Sequence, residues 1–510
     1  MRKIIIVGGG SAGWMTAATL IKTFPDYHIS LIESPNVSTV GVGESTIGRI
    51  RNWIEYLGID EKSFMQATDA SFKLSIKFTD FYKKGEAFHY PFGKPHLYDC
   101  KNGINDWWVM KSIYPKTPHT DYADSYYANM GFINQNTFSN EPIPELNWDP
   151  KHYIAYHFDA TKFAKYLKDN FCVPKGVVHI EEDIKTIEQN EEGITSLNNT
   201  HSADLYIDCT GFKGLLIDET LKEPFESYSD ILPNDSAWAT KIFYKNKDTE
   251  LVPYTNCTAI ENGWVWNIPL WSRIGTGYVY SSKFVDDDTA LKQFKKHLKV
   301  EDGDFKKIKM SKIGIHKRLW VKNVVAIGLS AGFIEPLESN GLFTVHEFLM
   351  KLLRNLQRDE VSQWDRDNFT FQCKRTFQPF AEFVALHYAL SHRSDTEYWK
   401  HMNKKQWCEN LITLKPPSIH GFQLAANDRD IRYTFEAEGG LSCIAAGMHW
   451  GPTDLPTLMY ENVDSNVETW KQNWSKAFLN LDTKKLAFKA LTKDFSSLKD
   501  YLQNNIHDSK

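Results

Sequence analysis

Residues 3–33, "KIIIVGGGSAGWMTAATLIKTFPDYHISLIE", open on a short apolar run, cross three glycines, carry Ala12, Met15 and Leu20 at helical spacing, and close on a second apolar run. This order predicts strand, helix, strand. Gly8, Gly10 and Gly13 stand as GxGxxG at the first junction, with Gly9, Ser11 and Ala12 between them. In such a unit the first glycine makes a tight turn, the second lets backbone approach a pyrophosphate, and the third lets helix and strand pack closely. The helix amino terminus then faces the anion. Glu33 ends the second strand 20 residues after Gly13, where an acid takes ribose hydroxyls. A dinucleotide site is expected, and the motif alone leaves NAD and FAD open.

Two later apolar runs, "ADLYIDCTGFKG" (203–214) and "NVVAIGLSAG" (323–332), also run into glycine or small residues. Three strand-to-glycine junctions spread over 330 residues suggest one long cofactor lying across a sheet, which favours FAD. No second GxGxxG follows a strand, so a separate nicotinamide site is not expected.

"SFKLSIKFTDF" (71–81) alternates, with Phe72, Leu74, Ile76 and Phe78 on one side and Lys73 and Lys77 on the other, and predicts one strand. The lysines then either lie on a solvated face or one of them lines an interior tunnel, where an ammonium donates to a reactive small molecule. "GWVWNIPL" (263–270) puts Trp264 and Trp266 on one face of a strand, with Pro269 at an edge or end. "GLSAGFIEPLESNGLFTVHEFLMKLLRNL" (328–356) leads from a glycine-rich turn into a helix with Leu342, Val345, Leu349, Leu352 and Leu356 on its apolar face and Ser339 or Asn340 as cap. Glu338 is either a carboxylate favoured by the helix dipole or one beside a small-anion site on the backbone N–H groups of Asn340 and Gly341.

At 510 residues the chain exceeds the size of one ordinary core, so a large main domain and an accessory lobe are expected. Aromatic residues at 14% suggest pockets lined with flat rings. The 64 acids and 59 bases are spread without a basic block, which argues against nucleic acid. The seven cysteines, at 100, 172, 209, 257, 373, 408 and 443, form no CxxC pair; a reducing compartment, the cytoplasm, is expected, with no disulfide frame and no metal site. No segment has the length of a membrane span, and the apolar stretch before the first glycines is too short for a signal-peptide core.

"GGGSAGW", "GVGEST", "FKLSIKF", "AYHFDA", "DCTGFKGLL", "GWVWNIP", "GTGYVYSS" and "FIEPLES" occur in the order and approximate spacing of flavin-dependent halogenases of the tryptophan-halogenase family, which the chain resembles over about residues 1–390. WxWxIP together with the amino-terminal GxGxxG carries most of the specificity. The resemblance implies an α/β fold: a doubly wound, glutathione-reductase-like or flavin-monooxygenase-like FAD-binding domain at 1–98 and 150–385, and a mainly helical substrate lobe at 99–149 and 386–510.

It further implies that FADH2 comes from a separate NAD(P)H-dependent flavin reductase, that oxygen gives a flavin hydroperoxide, and that bound halide attacks it to yield hypohalous acid. That acid passes to Lys73, which holds it while an aromatic carbon attacks, assisted by Glu338. Halide is expected at Asn340 and Gly341; many members have threonine at the position of Asn340, which leaves chloride, bromide and iodide open. The flavin contacts implied are Gly8, Gly9, Gly10, Ser11, Ala12, Gly13, Glu33, Ser34, Val40, Ser45, Ile184 and Leu342. Trp264 and Trp266 are implied to wall off the flavin, so that only a small oxidant crosses.

The likeness changes where substrate should bind. Tryptophan-specific members place a histidine and a phenylalanine in the segment resembling "FHYPFG"; here Phe92 matches, while Tyr90 takes the histidine's place. They also carry an acid and an aromatic pair before the segment resembling "CIAAG", where this chain has "EAEGGLSCIAAG". Without that clamp free tryptophan loses stacking worth ~1 kcal/mol per ring pair. An indole, phenol or other electron-rich ring is therefore expected in place of free tryptophan. A single-component aromatic hydroxylase and a non-catalytic FAD-binding redox sensor are the alternatives, and monomer and homo-oligomer both stay open.

Overall fold

The computed structural model describes residues 2–37, 43–93, 95, 104–358, 360–403, 440–450 and 481–508. β1 (Lys3–Val7) pairs in parallel with β2 (His28–Glu33) on one side and with the strand Leu205–Asp208 on the other. Strand Val324–Ala326 continues the sheet beyond Leu205–Asp208 in the same direction, and β8 (Val178–Glu181) does so beyond β2. The three strand-to-glycine junctions of the sequence thus lie side by side at the carboxyl ends of three adjacent parallel strands, with Trp320–Val321 added antiparallel beyond them. Helix Ser11–Thr23 crosses over this sheet and is buried all round from Gly13 through Ile21, with the sheet on one side and helices Ala160–Tyr166 and Gly341–Leu356 on others.

A seven-stranded sheet lies behind the chemistry. Its order is Lys306–Lys309, Ser236–Ile242, Ile274–Tyr280, Gly263–Pro269, Tyr254–Ile260, β5 (Ser75–Thr79) and β6 (Ala87–Pro91). A small sheet holds β3 (Gly43–Ser45), β7 (Ala155–Asp159) and β4 (Ser71–Lys73).

The single strand expected over 71–81 is therefore two strands, β4 and β5, in different sheets. The chain changes sheets at Leu74, whose N–H donates to the Pro253 carbonyl (2.7 Å) and whose carbonyl accepts from Phe92 N (2.9 Å) and Asn129 Nδ2 (3.1 Å). The solvated face does not exist at Lys73 either: Ser71, Phe72, Lys73, Leu74, Ser75 and Ile76 are all fully buried. Alternation runs unbroken through the switch because both faces are covered, so it marks neither the break nor an outside.

Trp264 and Trp266 share a face, with ring centroids 6.2 Å apart. They face the main core, while Val265, Tyr278 and Tyr280 on the opposite face pack on Phe294 of helix Asp287–Leu298 in a separate cluster. Trp266 lies across Gly277 of the neighbouring strand, where a Cβ would come within 2.1 Å of the indole. Pro269 ends its strand inside the sheet and does not mark an edge.

Helix Gly341–Leu356 buries Leu342, Val345, Leu349, Leu352 and Leu356 as its periodicity predicts. Asn340 is its cap residue but makes no side-chain capping bond, and Ser339 sits before it at φ 58°. Helix Gln363–Ala389 follows and runs past residue 385. The helices Ile104–Ile113 and Asn129–Gln135 meet carboxyl-terminal segments: Trp108 Nε1 donates to the Trp450 carbonyl (2.7 Å), and Thr137 Oγ1 to the Thr492 carbonyl (3.0 Å). Among the described residues the five cysteines are buried, and no helix is long and apolar enough to cross a membrane. Val40, Cys100, Cys408 and most of the segment before Gly440 lie outside the described residues.

Candidate active site

The glycine loop is shaped for a ligand on one side and for packing on the other. Gly8 turns at φ +114° with no room for a Cβ, which would lie 2.3 Å from the Cys209 carbonyl. A Cβ on Gly13 would lie 1.8 Å from the Gly8 carbonyl, and one on Gly9 would meet the Glu33 carboxylate. Gly10 alone faces open space, and the helix it begins has no side-chain cap. Its free N–H groups point where a pyrophosphate would sit. Glu33 is held by His179 Nε2 (2.6 Å) with Lys168 Nζ at 3.6 Å. Ser34 donates to Asp183, beside the half-buried Ile184, which joins two of the predicted contacts across a gap of 150 residues between 34 and 184. Ala12 packs against Gly328 of the third junction, and Ser11 Oγ reaches the Ala160 carbonyl (3.4 Å). These features fit an extended dinucleotide.

Lys73 is fully buried. Its Nζ donates to the Thr46 carbonyl (2.8 Å) and to Ser339 Oγ (2.9 Å), and it stands 4.8 Å from the centre of the Phe92 ring. Burial pulls its pKa from 10.5 down to about 7, opposed in part by Cys257 and Glu338. Lys77, four residues on, is half-buried over the Tyr254 ring and takes no part in this cluster.

From the lysine a chain of hydroxyls runs inward with a single direction. Ser339 Oγ donates to Ser45 Oγ (3.0 Å), which pairs with Thr255 Oγ1 (2.6 Å), which pairs with His157 Nε2 (2.8 Å). His157 Nδ1 faces Ser71 Oγ (3.4 Å), and Ser71 spends its proton on the Pro269 carbonyl. Burial and then Lys73 hold the His157 pKa well down, so the ring is neutral. With Ser71 already donating, Nδ1 carries the ring proton and Nε2 accepts from Thr255. Thr255 then accepts from Ser45, and Ser45 from Ser339. Every hydroxyl donates once and accepts once, leaving Ser339 to accept from the amine.

Glu338 is 2% exposed, and its Oε1 lies 2.7 Å from His387 Nε2. Nδ1 of His387 meets the Phe383 carbonyl at 2.8 Å and so carries a proton. Burial raises the Glu338 pKa, with His387 and Lys73 working against it. Just beyond, Gly341 faces open space and Asn340 Oδ1 is buried without a partner. An uncapped helix start, with the N–H groups of its first turn unspent on any side-chain cap, fits a small anion, whereas the Asn340 oxygen is an acceptor and adds nothing to that fit. Trp264 Nε1 donates to Glu335 Oε2 (3.1 Å), which also accepts from Asn234 Nδ2 (2.7 Å); the indole thereby braces the loop that carries Glu338 and Asn340. Tyr90 meets Phe92 edge-on at 5.9 Å, and Gly440 packs on the Tyr90 ring, where a Cβ would come within 2.7 Å.

Residues 3–418 match the tryptophan halogenase family. The chain belongs to that family. It is 33% identical over 501 residues to tryptophan 7-halogenase RebH of Lentzea aerocolonigenes, covering 92% of this chain and 93% of that one. It is 34% identical over 421 residues to tryptophan 6-halogenase SttH of Streptomyces toxytricini, covering 78% and 80%. The solved structure of VirX1 without ligand superposes with a TM-score of 0.88 at 36% identity over 99% of both chains. This halogenase is thus an enzyme of mixed α/β fold, with an FAD-binding Rossmann-like domain and a helical substrate-binding region. Flavin-dependent halogenases use reduced FAD and halide.

Several residues of this halogenase site were not foreseen from sequence: Ser339, Thr255 and His157 in the hydroxyl chain, His387 behind Glu338, and Glu335 behind Trp264. Ser339, Glu335 and His157 stood inside quoted motifs, "FIEPLES" and "AYHFDA". Thr255 and His387 carry no local signal.

Proposed function

We propose that this chain halogenates an electron-rich aromatic ring other than free tryptophan, using hypohalous acid delivered to Lys73. The observation that carries the reading is the fully buried amine of Lys73, fixed by two acceptors beside an aromatic ring, with a pKa of about 7. Gly8, Gly9, Gly10, Ser11, Ala12, Gly13, Glu33, Ser34, Ser45, Ile184 and Leu342 would hold the flavin, and Asn340 with Gly341 the halide. Reduced flavin, oxygen and halide together supply the hypohalous acid. The single GxGxxG of the chain supports reduction by a separate flavin reductase, because no second dinucleotide site follows a strand. Trp264 and Trp266 close the route by which a ring could reach the flavin.

Two of the amine's N–H bonds are committed to Thr46 and Ser339, so one position is left at Nζ. Protonated, it donates a hydrogen bond to the hypohalous oxygen; neutral, it offers its lone pair to the halogen. A pKa near 7 keeps both forms populated at neutral pH. In the first case an aromatic carbon attacks the halogen, the carbon–halogen bond forms, the oxygen–halogen bond breaks, and the lysine proton converts hydroxide to water. In the second the nitrogen takes the halogen with loss of water, and the ring then takes it from nitrogen. Either way the ring proton must leave, and the Glu338 carboxylate, backed by His387, receives it.

Tyr90, packed by Gly440, and Phe92, beside Lys73, would form the surface against which the ring lies. The sequence "EAEGGLSCIAAG" has no aromatic pair at the point in the chain where tryptophan-specific members carry one, which supports a ring lacking the amino-acid portion of tryptophan; RebH and SttH are named for tryptophan and supply the comparison substrate. The test gives the protein reduced FAD, oxygen, each halide in turn, and indole, a phenol or tryptophan in competition. Halogenated indole or phenol in excess over halogenated tryptophan, lost in Lys73→Ala, is expected. Preferred tryptophan overturns the substrate assignment, and hydroxylated product without halide dependence overturns the chemistry.

A further inference from the structure

Away from Lys73, three residues from distant parts of the chain converge: Glu86 before β6, His119 before helix Asp121–Tyr126, and His449 after helix Gly440–Gly447. His449 Nε2 lies 3.0 Å and His119 Nδ1 3.8 Å from Glu86 Oε2, and one donor atom from each residue falls within 4.8 Å of the others. We propose that Glu86, His119 and His449 bind a divalent transition-metal ion of zinc's class, which pins helix Gly440–Gly447 onto β6.

The donor set suits such an ion: two imidazoles and one carboxylate are ligands that zinc takes with an open position for water. A zinc ion with ligands at about 2.0–2.1 Å holds neighbouring donors about 3.3 Å apart, so small side-chain rotations close the cluster. The Nε2 of His119 is buried with no hydrogen-bond partner, and Nδ1 is the nitrogen that faces Glu86.

His449 adds an independent sign. Its N–H bonds to the Ala446 carbonyl (3.2 Å) and the next N–H, of Trp450, reaches back to Ala445 (2.8 Å), the pair of bonds that ends a helix on a left-handed residue. Glycine is the residue this position favours, yet histidine occupies it at φ 52°. The ring is held in place by Tyr82, stacked at 4.3 Å and 12°, and by His119 at 4.4 Å. An imidazole oriented against a carboxylate and a second imidazole is what a ligand set requires. The pinned helix lies directly on β6: a Cβ on Gly447 would meet the Phe88 ring at 2.2 Å, and Gly440 at the other end meets Tyr90. Residues 86, 119 and 449 share no local motif, which is why the sequence, with no CxxC pair, gives an expectation of no metal site.

The test uses FAD-loaded protein, so that Glu33 of the second carboxylate–histidine group, Glu33, His179 and Glu181, is engaged by the cofactor. Chelator-treated wild type, Glu86→Gln and His449→Gly are titrated with zinc by calorimetry and with cobalt(II) by visible absorption, and their melting temperatures are read with and without zinc. Wild type should bind one equivalent more than His449→Gly, or bind it more than ~100-fold more tightly, beyond the effect of losing an outer-sphere partner. Zinc should raise the melting temperature of wild type only. His449→Gly relieves the left-handed backbone but loses the ring's contacts with Tyr82 and His119, whereas Glu86→Gln keeps both, so zinc binding lost alike in two variants of different packing separates ligand loss from misfolding. Equal zinc binding by wild type and His449→Gly, or no cobalt absorption specific to wild type, overturns the proposal.

Discussion

Replacing Lys73 with methionine keeps a long side chain and removes the titrating amine. The native lysine releases its proton at about 7, against 10.5 in the unfolded chain. Between those values the unfolded state holds a proton that the native state lacks, so wild-type stability climbs with pH by up to ~1.4 kcal/mol per unit; below pH 7 both states are protonated and the cost of burying the charge is present in full. Lys73→Met has no such dependence. Its stability relative to wild type is therefore most favourable at low pH, and moving from about pH 6.5 to about pH 9 should erode that difference by about 2.5 kcal/mol. The substitution also deprives the Thr46 carbonyl and Ser339 Oγ of their donor, a loss of ~1–3 kcal/mol that is the same at both pH values and cancels from the comparison. Reversible urea unfolding of both proteins at the two pH values measures it. A difference that stays constant within ~0.5 kcal/mol would refute a lysine neutralised by burial, and with it the dual role of the amine.

Three further outcomes are expected. Glu338→Gln should slow aromatic halogenation by ~10²–10⁴-fold while leaving hypohalous acid, trapped by a thioether, unchanged; loss of flavin binding instead would remove Glu338 from the proton-accepting role. Ser339→Gly keeps the left-handed backbone at φ 58° and Ser339→Ala does not, so the alanine variant should be less stable by ~1 kcal/mol in urea unfolding, while both lose the acceptor for Lys73 and share the same drop in halogenation rate. Gly10→Ala should melt like wild type yet bind FAD more weakly in a fluorescence titration, whereas Gly13→Ala, whose methyl would meet the Gly8 carbonyl, should lower the melting temperature with or without FAD.

How much was legible in the sequence depended on how local the cause was. The glycine loop, the apolar face of Gly341–Leu356 and the shared face of Trp264 and Trp266 follow from residues within one or two turns or a few strand positions, and each stands where its period puts it. The adjacency of the three strand-to-glycine junctions was inferable because parallel strands feeding helices must lie in one sheet. The sheet change at Leu74 was not, since a chain covered on both faces keeps alternating through it. Lys73 and Lys77 are equivalent in pattern, and only their position relative to that switch puts one in the interior and the other at its margin. The hydroxyl chain joins residues 45, 71, 157, 255 and 339, and the Glu338–His387 pair spans two helices; contacts at such separations leave no periodic trace.

The hydroxyl chain has a polarity, and polarity has a geometric outcome. To turn Ser339 from acceptor to donor toward the lysine, Ser45, Thr255 and the tautomer of His157 would all have to reverse together, against the anchor at Pro269. The unengaged lobe of the nitrogen therefore aims along one fixed vector. Which carbon of a ring is marked is then decided by how the ring is laid down in front of that vector, so reshaping the surface around Tyr90 should move the mark, while the lysine stays a stationary nib.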